Sequence, residues 1–76
     1  MRYFGPRKWS TGDDIYFQWD DTAKRGTWLY AYNRQIAYRS ARNLEFVQRR
    51  WPECLNEVSE DFSPLMPDYM KVDEGL

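Results

Sequence analysis

The sequence contains no histidine, and its 76 residues include a single cysteine, Cys54. Histidine is the most frequent general base in enzymes and the usual activator of serine and cysteine nucleophiles, so those catalytic pairs are excluded. One cysteine cannot form an internal disulfide, and without histidine it cannot complete a zinc site of the Cys/His type. These absences argue against an enzyme, and we expect neither a bound metal nor another cofactor.

Glycine is scarce, and long hydrophobic runs are missing. The four glycines stand apart at positions 5, 12, 26 and 75, so the sequence has no glycine-rich phosphate-binding loop. No stretch approaches the roughly 20 apolar residues that span a bilayer. Residues 1–6 have no continuous apolar core of the kind found in a secretory signal. Together with the single cysteine, this predicts a cytoplasmic protein that does not bind a membrane.

Aromatic residues, in contrast, are abundant: 4 Trp, 6 Tyr and 4 Phe make up 18% of the chain. Each such side chain can bury on the order of 150–250 Å², whereas a domain of this size hides only about 60% of its unfolded surface. Some rings are therefore expected either to remain partly exposed at the edge of the core or to be covered by a partner. The second interpretation is attractive because aromatic residues and arginine are enriched at the cores of protein interfaces.

Charge is divided unevenly along the chain. Residues 1–50 hold ten basic and five acidic residues, a charge of +5, and residues 51–76 hold one basic and seven acidic residues, a charge of −6, which together give −1. The acidic part either folds back on the basic part or meets a different partner. We predict one small α+β domain over residues 1–62, followed by an extended acidic tail that contains proline over residues 63–76.

Alternation of apolar and polar residues predicts three strands. A polar loop that ends at Gly26 and a tight turn at Asn33–Arg34 separate these segments. The expected fold begins with a three-stranded antiparallel meander in which Ile36 and Tyr38 share one side. The predicted strands of the meander cover residues 15–19, 27–32 and 35–39, and Tyr3 and Phe4 suggest a further short edge strand.

One or two short helices are expected after the meander. Ser40 suits the N-cap of the first helix, and Leu44, Val47 and Trp51 follow at helical spacing. Pro52 can end this helix or open a second one over residues 52–61. In the second segment Cys54 takes an apolar position, which favours a buried structural thiol over a reactive one.

A partner-binding surface is predicted where aromatic residues and arginines coincide on the sheet. Trp28, Tyr30 and Tyr32 share one face of their strand. If the helix covers the opposite face, which carries Leu29 and Ala31, these rings remain open to a partner; if it covers the aromatic face, they form the core. The predicted partner-binding residues are Trp28, Tyr30, Tyr32, Arg34, Tyr38, Arg39 and Trp9.

These patterns favour a non-enzymatic protein-binding module, an inhibitor or adaptor of the kind that phages and mobile elements encode to block a host protein. The first alternative is a small nucleic-acid-binding protein, because arginines of the basic part can contact phosphates. The acidic tail argues against it, since a folded-back tail would compete with phosphate. The second alternative is a structural subunit that forms a homodimer or a larger homo-oligomer through self-complementary aromatic surface.

Overall fold

A five-stranded antiparallel sheet forms the centre of the fold in the computed structural model, which describes residues 1–60. The strands are β1 (Arg2–Lys8), β2 (Asp14–Asp20), β3 (Arg25–Tyr30), β4 (Ile36–Ser40) and β5 (Glu57–Val58). They lie in the order β4-β3-β2-β1-β5. The helix α1 (Leu44–Arg50) and a 3-10 helix (Pro52–Leu55) connect β4 to β5.

The α+β class is confirmed, but the sheet has five strands within residues 1–60 rather than the three of the predicted meander. The predicted segments correspond to β2, β3 and β4, which are neighbours. The edge strand suggested by Tyr3 and Phe4 is present but extends over all of β1, because the chain continues past Gly5 and Pro6 through a bulge: Phe4 lies opposite Phe17, but the next pair is Arg7 with Ile15. Gly5 suits this bulge because its φ is +136°.

A second bulge, in β4, corrects the predicted orientation of that strand. Tyr38 lies opposite Trp28 and Ile36 lies opposite Leu29, which leaves Ala37 as an extra residue without a partner in this register. Because facing residues in an antiparallel pair point to the same side, Ile36 and Tyr38 lie on opposite faces of the sheet. The prediction that they share one side is therefore wrong.

The first helix begins later than predicted. Asn43, rather than Ser40, caps α1, since its side-chain oxygen accepts a hydrogen bond of 2.8 Å from the Phe46 amide. Ser40 is instead the last residue of β4. No helix among the described residues has the length and apolar character needed to cross a membrane.

The second predicted helix, over residues 52–61, is replaced by one 3-10 turn and the short strand β5. Tertiary contacts hold this segment against β1. The Gly5 amide donates to the Asn56 carbonyl at 3.0 Å, the Asn56 side chain donates to the Gly5 carbonyl at 2.7 Å, and Arg2 donates two hydrogen bonds to the Glu57 carboxylate. The tail predicted over residues 63–76 lies outside the described residues.

The sheet has two distinct faces. The helix face packs against α1 and the 3-10 helix and contains the larger core cluster. Its members are Phe4, Ile15, Phe17, Trp19, Trp28, Val47 and Cys54. The second face carries a smaller buried cluster of Tyr3, Tyr16, Leu29 and Ala31, against which Val58 packs. The core is therefore divided by the sheet, and its larger part is mostly aromatic.

We predict that Gly26→Ala destabilises the fold because a Cβ at this position would overlap the Phe17 ring, which packs over the glycine. Overpacking of this kind costs about 1–3 kcal/mol. Urea denaturation of the variant should show an unfolding free energy lowered by that amount.

Phe17→Leu provides the matched test, since a leucine at position 17 has no ring atoms in the colliding position. We expect Gly26→Ala to cost less in the Phe17→Leu background, so that the double-mutant cycle gives a coupling energy. An equal cost in both backgrounds would show that the overlap with Phe17 is not the cause.

Candidate functional site

Three tryptophan rings surround the Arg7 guanidinium on the helix face. Its Cζ atom lies 3.8 Å from the ring centroid of Trp51, 4.7 Å from that of Trp28 and 5.4 Å from that of Trp9. The β1 bulge produces this arrangement, because it returns Arg7 to the same face as Phe4 after three residues instead of two. Cation–π contacts of this kind stabilise by about 0.5–2 kcal/mol, and more when the cation is shielded from water.

The same rings continue into an aromatic array made of Trp9, Tyr38, Trp28 and Trp51. Trp9 stacks on Tyr38 with centroids 5.1 Å apart, and Tyr38 stacks on Trp28 at 6.3 Å. Trp28 meets Trp51 edge-on at 5.5 Å. Trp28 is fully buried, whereas the other three rings are half-buried. The array therefore has an inaccessible centre that holds three partly accessible rings in place.

Two buried donors in this cluster have no hydrogen-bond acceptor. They are Arg7 Nη1 and Trp28 Nε1. A buried donor without an acceptor costs free energy, and the ring faces around the Arg7 guanidinium offset part of that cost by cation–π attraction. Within residues 1–60, no carboxylate forms a salt bridge with Arg7. The cation is thus held by aromatic faces.

Two further arginines lie over aromatic rings near the two ends of α1. Arg42 lies over the Phe46 ring at 4.7 Å, and Arg50 lies over the Trp51 ring at 5.1 Å. Phe46 is 37% exposed. In the described part of the chain, neither Arg42 nor Arg50 pairs with a carboxylate. We call this region the helix-side surface; its residues are Arg7, Trp9, Tyr38, Arg42, Phe46, Arg50 and Trp51.

The structure brings together only part of the predicted binding set. Trp9 and Tyr38 lie side by side in the helix-side surface. Trp28 is fully buried beneath them, because α1 packs on the aromatic face of the sheet and not on the face of Leu29 and Ala31. Trp28 therefore supports the surface from within and offers no area to a partner.

The remaining predicted residues do not join the Trp9–Tyr38 stack. Tyr30 packs at the border of the larger core cluster and forms a half-buried pair with Tyr32, their ring centroids 6.2 Å apart. Arg34 lies in the turn between β3 and β4 and donates a 3.2 Å hydrogen bond to the Glu60 carbonyl. Arg39 lies opposite Thr27 and thus on the second face.

Sequence reasoning missed Arg7, Trp51 and the stripe of Arg42, Phe46 and Arg50 as site residues. The signal for Arg7 was the Gly5–Pro6 pair, because glycine and proline inside a strand pattern indicate a bulge. A bulge at this point places Arg7 on the aromatic face. Phe46 and Arg50 have a simpler signal, since residues four apart lie on the same side of a helix, whereas Arg42 precedes α1 and has no such signal.

The second face contains a shallow depression of about 290 Å³. Its side chains combine exposed apolar groups with charge, and Ile36 is 49% exposed there. The lining residues are Met1, Gln18, Asp20, Arg25, Thr27, Ile36 and Arg39. The two arginines outnumber the single aspartate, so this face is weakly basic.

Cys54 is the fully buried residue of the 3-10 helix. Burial, assisted by the negative charge of Glu53, raises the pKa of this thiol to about 11, although Arg7 acts in the opposite direction. The neutral thiol packs as a small apolar group. Among the described residues, no group of three or more His, Cys, Asp or Glu side chains is placed to hold a metal ion.

Comparisons with protein-family models, with curated proteins and with solved structures find no match for this chain. Its function is therefore inferred from the chemistry of its surface. The helix-side surface offers ring faces and guanidinium donors. Guanidinium groups stay protonated in proteins and do not exchange protons with a substrate, so these groups are suited to binding and not to acid–base chemistry.

We predict that Arg7→Lys destabilises the protein although it preserves the charge. An ammonium group cannot reproduce the flat contact that a guanidinium makes with several rings, and a loss of about 1–2 kcal/mol is expected. Arg25→Lys makes the same change at an exposed position of β3 and serves as the control. Equal unfolding free energies for the two variants in urea would contradict the role assigned to the tryptophan rings.

The Cys54 thiol should be unreactive in the folded protein. At pH 8 we expect no reaction with a disulfide reagent such as dithionitrobenzoate until denaturant is added, because the thiolate is the reactive form. Folding favours the neutral thiol over the thiolate. The resulting contribution to the free energy of unfolding is complete below the ordinary pKa of 9.0 and is lost as the pH rises towards the folded-state pKa of about 11. Rapid labelling of the native chain would refute the buried, protonated state.

Proposed function

We propose that the protein is a non-enzymatic protein-binding module whose helix-side surface binds an acidic segment of another protein. One observation carries this proposal: the stack of the half-buried Trp9 and Tyr38 continues through Trp28 to Trp51, and over the Trp51 ring lies Arg50, which has no carboxylate partner within residues 1–60. Tryptophan, tyrosine and arginine are the residue types that contribute most to binding at protein interfaces.

Rigid rings reduce the entropic cost of binding. Trp9 is packed on Tyr38, and Tyr38 is packed on the buried Trp28, so the exposed edges are held before a partner arrives. A side chain that is already ordered loses less conformational freedom when the complex forms. The array therefore supports a preformed binding surface more than one that assembles upon contact.

Arginine gives the expected partner its charge. Arg42 lies over the exposed Phe46, Arg50 lies over Trp51, and Glu45 is already paired with Arg49 at 2.7 Å. Guanidinium groups form strong, often bidentate hydrogen bonds with carboxylates. The surface thus suits a segment in which aspartate or glutamate alternates with apolar side chains.

A surface of this kind can block a partner simply by occupying its binding site. The proposed role is accordingly that of a cytoplasmic inhibitor or adaptor, of the type that phages and mobile elements use against host proteins. Such a role requires a stable surface and no chemistry. It is consistent with a small chain whose largest buried side chain, Trp28, supports the surface.

Binding of nucleic acid is the competing proposal, because Arg42 and Arg50 can contact phosphates as well as carboxylates. Self-association through the aromatic array is another. Each gives a distinct result in the experiment below, since phosphate binding depends steeply on salt and self-association depends on protein concentration.

The test begins with capture of proteins from a lysate by the immobilised chain, followed by purification of the captured partner and calorimetric measurement of its Kd. Trp9→Ala should weaken binding by about 2 kcal/mol or more, roughly 30-fold. Arg50→Glu should also weaken binding of the partner, since the new charge repels an acidic segment. This loss of affinity should grow as the salt concentration is lowered.

Arg25→Glu makes the same charge change on the second face and should leave the Kd unchanged. Every variant is first checked for its denaturation midpoint. The proposal fails if no partner is captured, or if Arg25→Glu abolishes binding and Trp9→Ala does not. Retention on DNA that declines steeply with salt would favour the nucleic-acid proposal, and a dimer that Trp9→Ala dissociates would favour the structural subunit.

A further inference from the structure

The second face of the sheet holds buried apolar side chains although both described helices lie on the other side. Leu29 is only 6% exposed and Ala31 only 1%. Among residues 1–60, Val58 is the one partly buried apolar side chain packed against this cluster. An antiparallel sheet that is packed on helices on one side can leave its other face to water, but here that face carries an apolar cluster and the 49% exposed Ile36. This face therefore offers apolar area to a further segment of chain.

The described chain ends beside this face. Val58, in β5, packs on the second-face cluster, and two residues later the Glu60 carbonyl accepts a hydrogen bond from Arg34. Arg34 lies in the turn between β3 and β4, whereas β5 lies at the other edge of the sheet next to β1. At Glu60 the chain has thus turned away from its own edge and towards the β3–β4 turn.

The remaining chain is long enough to cover the face. Residues 61–76 comprise 16 residues, and at about 3.3 Å each an extended segment of this length spans roughly 50 Å. Five strands spaced by about 4.8 Å make a sheet only roughly 19 Å wide. The segment can therefore cross the whole face and still return along it.

The chemistry of the segment matches that of the face. Residues 61–76 contain four acidic residues and one lysine, a charge of −3, whereas residues 1–60 contain ten basic and eight acidic residues, a charge of +2. Arg25 and Arg39 line the depression on the second face beside the exposed Ile36. Seven apolar residues of the segment are available to pack there. They are Phe62, Leu65, Met66, Tyr69, Met70, Val72 and Leu76.

We propose that residues 61–76 dock on the second face of the sheet of the same molecule. Their apolar side chains cover Leu29, Ala31 and Ile36, and their carboxylates face Arg25 and Arg39. This arrangement leaves the helix-side surface accessible, so that the two faces have separate occupants: the chain's own acidic segment on one and the partner on the other. The proposal does not depend on the identity of that partner.

The test places a nitroxide spin label on the full-length variant Lys71→Cys and records methyl NMR spectra. The label should broaden the methyl signals of Leu29 and Ile36 on the second face much more strongly than those of Leu44 and Val47 on the helix side. As a control, the unsubstituted chain treated with the same reagent should take up no label at Cys54. The reference spectrum is recorded after chemical reduction of the nitroxide.

Two further variants examine the contacts. Replacing Met66 and Met70 together by serine should abolish the broadening, and Ser63→Ala in the same segment should preserve it. Uniform broadening of both faces, or none, would overturn the proposal. A mixed sample tests for a second copy: spin-labelled chain of natural isotope abundance is added to isotope-enriched chain without a spin label. Broadening of the enriched chain's signals would also overturn the proposal, because the segment would then occupy another molecule.

Discussion

Trp28 is the contact on which the helix side of the molecule depends. Its fully buried indole touches Phe17 from β2, Tyr38 from β4, Trp51 after α1 and Arg7 from β1. A helix of seven residues cannot cover a five-stranded sheet with aliphatic side chains alone, so one large ring fills the space between them. Close packing then fixes the neighbouring rings, since protein interiors tolerate few voids. The accessible edges of Trp9 and Tyr38 are ordered as a by-product of core formation.

Much of the sheet was predictable from the sequence, because strands β2 to β4 show the period of two that a half-buried strand produces. The errors occur where tertiary contacts decide the outcome. The extra residue Ala37 reverses the side on which Ile36 points, and no local pattern signals it. The helical spacing after Pro52 is misleading, because Asn56 exchanges hydrogen bonds with Gly5 and so pairs this segment with β1. A sequence separation of 51 residues lies beyond the reach of periodicity.

The residue types of the candidate site could be predicted from the sequence, but the particular residues that form it could not. Aromatic abundance correctly pointed to rings at the edge of the core, and Trp9 and Tyr38 are such rings. Which residues join them depends on strand register, which a single bulge changes. Arg7 illustrates this dependence, since regular alternation from Phe4 would have directed it to the second face and away from the tryptophans. Strand register is set by pairing partners that are distant in sequence. The sequence therefore indicates that aromatic and basic residues form the site, but not which of them lie in contact.

The two edges of the sheet bear on how the protein behaves at high concentration. An edge strand with a long, flat row of unpaired amides and carbonyls recruits strands from other molecules and leads to aggregation. Here one edge is β5, with only two residues, and the other is β4, with five residues, a bulge at Ala37 and the charge of Arg39. Within residues 1–60, neither of these edge strands offers a regular template for strand addition. A chain with so many aromatic side chains can thus expose some of them for recognition without inviting its own polymerisation into fibres.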